Sequence, residues 1–141
     1  LAGLRLGYAI GHADLIEALI RVKDSFNSYP IDRLGLVAGI ESFKDDSYFK
    51  NICQKVIHTK LNFIEKLTSL NFSVLPSGAN FIFAKHTSVE GNIIVSKLRD
   101  QGIVVRRFDN PIRISSYIRF TIGSDEEMDS LLKALKLILS A

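Results

Sequence analysis

The chain has 141 residues, of which 47% are hydrophobic and 23% are charged, and its formal net charge is +3. This composition is typical of a folded globular protein and excludes a disordered tail. The basic residues are scattered along the chain, which argues against a nucleic-acid partner, and the single cysteine excludes an intrachain disulfide and a zinc site built from cysteines.

No stretch of the sequence has the character of a membrane span or a secretion signal. The most apolar run, residues 34–40, is too short to cross a bilayer. A basic start followed by an apolar stretch and a small-residue cleavage site is also missing. We therefore expect a cytoplasmic protein without a membrane partner.

In chain order, the first half of the sequence predicts one strand followed by three helices. Alternating apolar residues predict a strand over residues 4–10. Apolar residues at helical spacing predict helices over residues 13–23 and 31–43, and His12 before the first of them is expected to be a capping or a surface residue. A third and longest helix is predicted from residue 45 to about residue 70.

The long helix is predicted to bury one stripe of side chains and to expose another. The buried stripe consists of Phe49, Ile52, Cys53, Val56, Ile57, Ile64 and Leu67. The solvent-facing side consists of Lys50, Gln54, Lys55, Lys60, Glu65 and Lys66. Cys53 is then a small apolar filler, and His58 has a structural role.

The second half predicts four short strands and two helices. Strands are expected over residues 72–75, 79–84, 103–105 and 117–122, with helices over residues 89–101 and from residue 125 onwards. Gly102 is expected to end the first helix in a left-handed cap, and Ser124 and Glu127 form a capping box for the second. Strands and helices mix throughout, which indicates an α/β or α+β chain. We place a boundary near Phe43–Lys44, dividing residues 1–43 from residues 44–141.

Few residues indicate chemistry by their type and spacing. The three histidines are far apart and lack the spacing of metal ligands. The acidic run at residues 125–127 lies in the first turn of a predicted helix, where carboxylates complement the helix dipole. We therefore predict no metal site within this sequence.

Two arginines, Arg5 and Arg119, stand inside otherwise apolar predicted strands. An inward guanidinium is costly to desolvate unless an anion meets it, and its planar fork binds carboxylate or phosphate at two points. The alternative is that each arginine faces solvent or pairs with a protein carboxylate, and the pattern alone slightly favours it. Arg106 and Arg107 end another predicted strand, and one of these two is expected to face water.

Five segments in order, residues 1–8, 25–30, 75–81, 98–106 and 117–123, resemble segments of the fold-type I aminotransferases, which use pyridoxal 5′-phosphate. Residues 1–8, Leu-Ala-Gly-Leu-Arg-Leu-Gly-Tyr, are similar to the stretch that follows the cofactor lysine in this family. Together the five segments cover essentially the whole chain, and they are most similar to the histidinol-phosphate aminotransferases.

The resemblance implies roles for three arginines and none for a catalytic residue. Arg5 matches the arginine that binds the cofactor phosphate. Arg119 matches the arginine that binds the carboxylate of glutamate and, in the histidinol-phosphate enzymes, the substrate phosphate. Arg106 matches an arginine of the substrate phosphate site, whereas Arg107 departs from the family pattern. Each guanidinium is thus expected to meet an anion rather than bulk solvent.

The resemblance also implies an α/β fold in which residues 1–43 end the large cofactor domain and residues 44–141 form the small carboxyl-terminal domain. The family's Schiff-base lysine would lie before Leu1, so we expect these residues alone to be inactive and their parent to be a homodimer acting on small molecules. Two alternatives remain. One is another fold-type I enzyme, such as a phosphothreonine decarboxylase or an aromatic aminotransferase, and the other is a non-catalytic α/β module that binds small molecules.

Overall fold

The computed structural model describes residues 2–140. By their packing these residues form two compact units, which meet in the sequence between Asn51 and Ile52. The boundary expected near residue 43 concerns the domains of a larger enzyme, and it stays a prediction.

The first unit is helical. A short 3-10 helix spans Ala2–Leu4, helix α1 spans Ala13–Phe26 and helix α2 spans Arg33–Lys44. The strand predicted over residues 4–10 is wrong, because residues 6–12 have no regular structure and Arg5 has a φ of 57°, in the left-handed region. In the described part of the chain, this segment pairs with no other strand, and a strand needs a partner for its amides and carbonyls.

Local capping explains where these two helices begin. His12 precedes α1, and its Nδ1 accepts a hydrogen bond from the amide of Asp14 at 3.4 Å, as predicted. Asp32 precedes α2, and its carboxylate accepts from the amide of Gly35 at 2.7 Å. Such bonds satisfy amides that the first turn of a helix leaves unpaired.

Helix α3 spans Asp46–Ser69 and enters the second unit at Ile52. Its buried side chains are Thr59, Lys60, Phe63 and Leu67. The predicted stripe is therefore wrong for Phe49, Ile52 and Ile57, which are exposed, and Lys60 was wrongly assigned to solvent. The apolar spacing of the whole helix was read as one stripe, whereas only the part from Val56 onwards packs against the core of the second unit.

The second unit contains a four-stranded antiparallel sheet in the order β1-β2-β4-β3. The strands are β1 (Phe72–Val74), β2 (Phe81–His86), β3 (Arg106–Arg107) and β4 (Ile118–Thr121), with helix α4 (Gly91–Asp100) before β3 and helix α5 (Asp125–Leu139) after β4. The strand predicted over residues 103–105 lies instead at residues 106–107. The amide of Ile103 bonds to the carbonyl of Leu98 at 2.9 Å, so this residue still closes the end of α4.

One face of the sheet carries the core. The fully buried large side chains are Phe63, Leu67, Ile82, Ile94, Leu98, Ile118, Phe120 and Leu135. Because side chains alternate along a strand, Ile82 and Ile118 face the core while Phe83 and Arg119 lie on the opposite face. That opposite face is therefore free to hold a site.

The predicted helix ends of the second unit are confirmed. Gly102 follows Gln101, the C-cap of α4, and has a φ of 77°, as a left-handed cap requires. The Oγ of Ser124 accepts from the amide of Glu127 at 3.3 Å, and the carboxylate of Glu127 accepts from the amide of Ser124 at 2.8 Å. Within residues 2–140, none of the helices combines the length and the apolar character needed to cross a bilayer.

Candidate anion-binding site

Arg106 and Arg119 occupy directly opposite positions on neighbouring antiparallel strands. Arg119 of β4 is the register partner of Arg106 on β3 and of Phe83 on β2. The three side chains therefore form one row across the sheet, on the face opposite the core. Arg119 is half-buried and Arg106 is exposed. The structure thus brings together the two arginines that the resemblance assigned to substrate binding.

Arg107 lies on the other side of the strand. Its register partner is the core residue Ile118, and its Nη1 donates to the carboxylate of Asp109 at 2.6 Å. The guanidinium is therefore neutralised by its own loop. Of the two consecutive arginines, Arg106 is the one that shares a face with Arg119.

Aromatic rings hold both guanidinium groups of the row. The Cζ of Arg119 lies 5.2 Å from the ring centre of Phe81 and 5.9 Å from that of Phe108. The Cζ of Arg106 lies 4.9 Å from the ring centre of Phe108. The negative face of an aromatic ring attracts a cation, so these rings orient the arginines without neutralising them.

The charge of this row is unbalanced. Within the described residues, neither Arg106 nor Arg119 forms an ion pair, and like charges directly opposite each other destabilise a sheet. The Nε of Arg119 is also buried without a hydrogen-bond partner in the part of the chain described. A buried unpaired donor costs about 1–3 kcal/mol. A bound anion would offset the repulsion between the two guanidinium groups, because it would neutralise part of their charge.

Arg106 and Arg119 also border a groove of about 950 Å³ in the second unit, most of whose lining comes from residues 102–105, the end of β4 and α5. Its walls include Val104 and Val105 on one side, Thr121 and Gly123 on the other, and Ser130 of α5. The groove exists because β3 pairs with β4 at two positions and the segment before it does not continue the ladder. Its size exceeds that of a single phosphate group and suits a small organic molecule.

Lys60 is the residue near this site that sequence reasoning missed. It is 7% exposed, and its Nζ donates to the carbonyl oxygens of Ser77 at 2.8 Å and Ala79 at 3.0 Å. The hydroxyl of Ser77 in turn donates to the carbonyl of Phe81 at 2.5 Å. Lys60 therefore fixes the turn that leads into Phe81, the ring against Arg119. The one available signal was that Lys60 stands at helical spacing between the apolar residues Val56 and Phe63, on the face of the helix that packs against the core.

Arg5 does not lie in an apolar strand as predicted. It is an exposed residue of the first unit, in a turn with a left-handed backbone, and it forms no ion pair within residues 2–140. Its guanidinium is available to an anion, but its phosphate-binding role stays a prediction. The same residues contain no group of three or more histidine, cysteine, aspartate or glutamate side chains arranged to hold a metal ion.

One carboxyl group on the groove wall has a shifted pKa. A hydrogen bond with its own backbone amide, followed by one from the Ser124 hydroxyl, lowers the pKa of Glu126 below its ordinary value of 4.5. Glu126 stands in the first turn of α5, where the helix dipole favours a negative charge.

The sequence is similar to those of several known enzymes of one family. The model of the family "Aminotransferase class I and II" matches residues 1–135. The chain is 52% identical over 136 residues to histidinol-phosphate aminotransferase 2 of Thiobacillus denitrificans, with 96% of this chain and 38% of that protein covered. It is 51% identical over 135 residues to histidinol-phosphate aminotransferase 1 of Pseudomonas aeruginosa, again covering 96% of this chain and 38% of the relative.

A solved structure agrees with this result. The histidinol-phosphate aminotransferase of Sinorhizobium meliloti, solved in complex with pyridoxal-5′-phosphate, superposes with a TM-score of 0.82 at 27% identity and covers 99% of this chain and 38% of that one. The prediction of a fold-type I aminotransferase fold is thereby confirmed. The chain spans less than two fifths of the length of the relatives that it matches. By sequence and by fold, the chain belongs to the class I and II aminotransferase family.

Proposed function

We propose that this chain is the carboxyl-terminal part of a pyridoxal-phosphate-dependent aminotransferase that transfers an amino group between glutamate and imidazole acetol phosphate, a step of histidine biosynthesis. The observation that carries the proposal is the row of Arg106 and Arg119, which is short of negative charge and holds a buried unpaired Nε. The relatives at 51–52% identity are named histidinol-phosphate aminotransferases, which supports the choice of substrate.

Arg119 is proposed to bind both amino-group donors in turn. Glutamate offers a carboxylate and histidinol phosphate offers a phosphate, and the guanidinium fork accepts either group at two points. Arg106 adds a second positive charge on the same face, which a phosphate dianion uses more fully than a carboxylate does. Because aromatic rings already hold both side chains in place, the arginines lose little conformational entropy when the substrate binds.

We propose that Arg5 would hold the phosphate group of pyridoxal phosphate. The guanidinium of Arg5 is exposed and has the charge and geometry that bind a phosphate group. When bound, the cofactor supplies an electron sink for chemistry at the substrate's amino-bearing carbon. We propose that the cofactor lysine lies before Leu1, and we therefore expect the 141 residues alone to be inactive.

The first unit supports the proposal that residues 1–43 belong to a larger cofactor domain. Helix α1 buries no side chain, and Phe26 and Tyr29 are 80% and 92% exposed. Apolar patches of this kind are typical of surfaces that another element covers. We propose that the rest of a large domain and a second subunit cover them in a cytoplasmic homodimer.

The complete open reading frame that encodes this chain provides the test. We expect a lysine about eight residues before Arg5 and turnover of histidinol phosphate with 2-oxoglutarate. Absence of that turnover, with activity on other amino acids, would contradict the substrate assignment and favour a sister enzyme. A reading frame without such a lysine would favour the non-catalytic small-molecule module.

Substitution of Arg119 tests the shared anion site in the same enzyme. We expect Arg119→Ala to weaken glutamate and histidinol phosphate by similar amounts, about 2–4 kcal/mol each, since each loses a charge-assisted bidentate contact. Arg107→Ala is the matched control, because its guanidinium is paired with Asp109 on the other face of the strand. Normal affinity of Arg119→Ala for glutamate would contradict the assigned role.

A further inference from the structure

Phe108 contacts both arginines of the row. Its ring centre lies 4.9 Å from the Cζ of Arg106 and 5.9 Å from the Cζ of Arg119, and it lies 6.1 Å from the ring centre of Phe83. The ring is half-buried. A single aromatic side chain thus touches the two positive groups and the apolar residue next to them.

The direction of this ring follows from the alternation along β3 and the residues after it. Arg106 and Phe108 are two positions apart and share a face, while Arg107 between them lies on the face of Ile118. Arg107 and Asp109, the neighbours of Phe108 on either side, pair with each other on the face of Ile118, which leaves the Phe108 ring on the face of the arginine row. Phe108 is therefore held over the arginine row by the chain on both sides of it.

The two arginines depend on this ring to different degrees. Arg119 also lies 5.2 Å from the ring of Phe81, and its Nε is buried. Within the described residues, Arg106 contacts the face of no ring other than Phe108 at such a distance, and its side chain is exposed. Removing Phe108 should therefore release Arg106 while leaving Arg119 largely in place.

We propose that Phe108 is a positioning residue that holds Arg106 beside Arg119, so that the pair distinguishes a doubly charged phosphate from a singly charged anion. This inference rests on the proposed function, because it takes the arginine row as the site of the substrate phosphate. Without the ring, the Arg106 side chain turns into solvent, and only the charge of Arg119 then attracts an anion to the site. Arg119 then still binds any single anionic group.

Two probes of the same shape and different charge test this proposal on the 141-residue chain. At pH 8 methyl phosphate is a dianion, since phosphate monoesters have a second pKa of about 6, whereas methyl sulfate is a monoanion. Calorimetric titration compares both probes with the wild-type chain, Phe108→Leu, Phe108→Tyr and Phe81→Leu. Circular dichroism and urea unfolding check that each variant is folded. If Phe108→Leu does not fold, Phe108→Met replaces it as the variant without a ring.

We expect the wild-type chain to bind methyl phosphate about tenfold more tightly than methyl sulfate. Phe108→Leu should weaken methyl phosphate about threefold to tenfold and change methyl sulfate by less than about twofold. Phe108→Tyr keeps a ring and should behave as the wild type, and Phe81→Leu should weaken both probes because it acts on Arg119.

Equal effects of Phe108→Leu on both probes, or no effect on methyl phosphate, would overturn the proposal, as would a wild-type chain without preference for the dianion. In the complete enzyme, the matching result is a raised KM for histidinol phosphate with little change in the KM for glutamate or in kcat. If the enzyme does not turn over these substrates but the chain keeps its Phe108-dependent preference, the proposed function fails and the role of Phe108 stands.

Discussion

The two units of the chain use the same helical pattern with opposite results. Helices α1 and α5 both place leucine and isoleucine at spacings of three and four residues. In α5 the resulting stripe is buried, with six core residues, whereas in α1 no residue is buried. Helical periodicity therefore shows that a face is suited to be covered, and it does not show what covers it.

The comparison also separates local from tertiary causes of helix formation. His12 and Asp32 cap helices in the first unit just as Ser124 caps α5 in the second. Capping needs a side chain and a free amide a few residues away, so it operates with or without a core. Burial, in contrast, requires partners distant in sequence, and the sheet supplies these in the second unit.

The largest expected difference between the two units is the loss of unfolding free energy when an apolar side chain is truncated to alanine. Phe120 is fully buried, so Phe120→Ala should lower the free energy of unfolding by about 3–5 kcal/mol. Leu19 of α1 is 54% exposed, and Leu19→Ala should change it by less than about 0.5 kcal/mol. Urea unfolding of the chain measures both, and similar losses would show that the first unit has a core of its own.

Two lysines of α3 give a sharper comparison within the second unit. Lys60→Met leaves the carbonyls of Ser77 and Ala79 without their donor and should cost about 1–3 kcal/mol of unfolding free energy. Lys66 is 55% exposed and pairs with Asp129, so Lys66→Met should cost less than about 1 kcal/mol. Urea unfolding measures both variants. Equal losses of unfolding free energy for Lys60→Met and Lys66→Met would argue against the buried role of Lys60.

Two glycines test how firmly each unit is packed. A methyl group at Gly91 would lie 2.9 Å from the carbonyl oxygen of Ser116, whereas one at Gly39 would meet the end of the Leu6 side chain. Backbone yields less readily than a side chain, so Gly91→Ala should destabilise by about 1–3 kcal/mol. Gly39→Ala should be close to neutral, because Leu6 can rotate and alanine favours the helix. A larger loss at Gly39 would reverse the comparison.

The smallest expected effect concerns pH. Because its pKa is lowered in the folded state, Glu126 favours folding at pH values above 4.5, and this contribution is lost as the pH falls through the lowered pKa. Thermal unfolding of the wild type and Glu126→Gln should therefore differ at neutral pH and converge in acid. A difference that grows in acid would have the wrong sign.

The sequence predicted the helices of this chain better than its strands. Helix ends depend on neighbouring residues such as Gly102 and Ser124, which the sequence displays directly. The strand predicted over residues 4–10 had the correct alternation, but a strand forms only with a partner, and none is described there. Lys60 was misplaced because residue type was taken as a guide to exposure, although two carbonyls in a distant turn satisfy its ammonium group.

The arginines of the site show how much a resemblance adds to a pattern. The pattern singled out Arg119 but slightly favoured a solvent-facing role, and the resemblance pointed to an anion. The resemblance matched Arg106 to the substrate phosphate site, but which of Arg106 and Arg107 shares a face with Arg119 depends on strand register. Register is a tertiary property, since a shift by one residue exchanges the two faces of a strand.

The shortness of β3 has a consequence for the width of the groove beside it. Two paired residues hold the strand to its neighbour, and the opening begins where that pairing stops. A longer ladder would draw the walls together, and a looser one would widen the mouth, in either case without exchanging a guanidinium. Insertions or deletions in the linker after α4 are thus a route by which cleft width, and with it the size of an accepted molecule, changes while the charged groups stay the same.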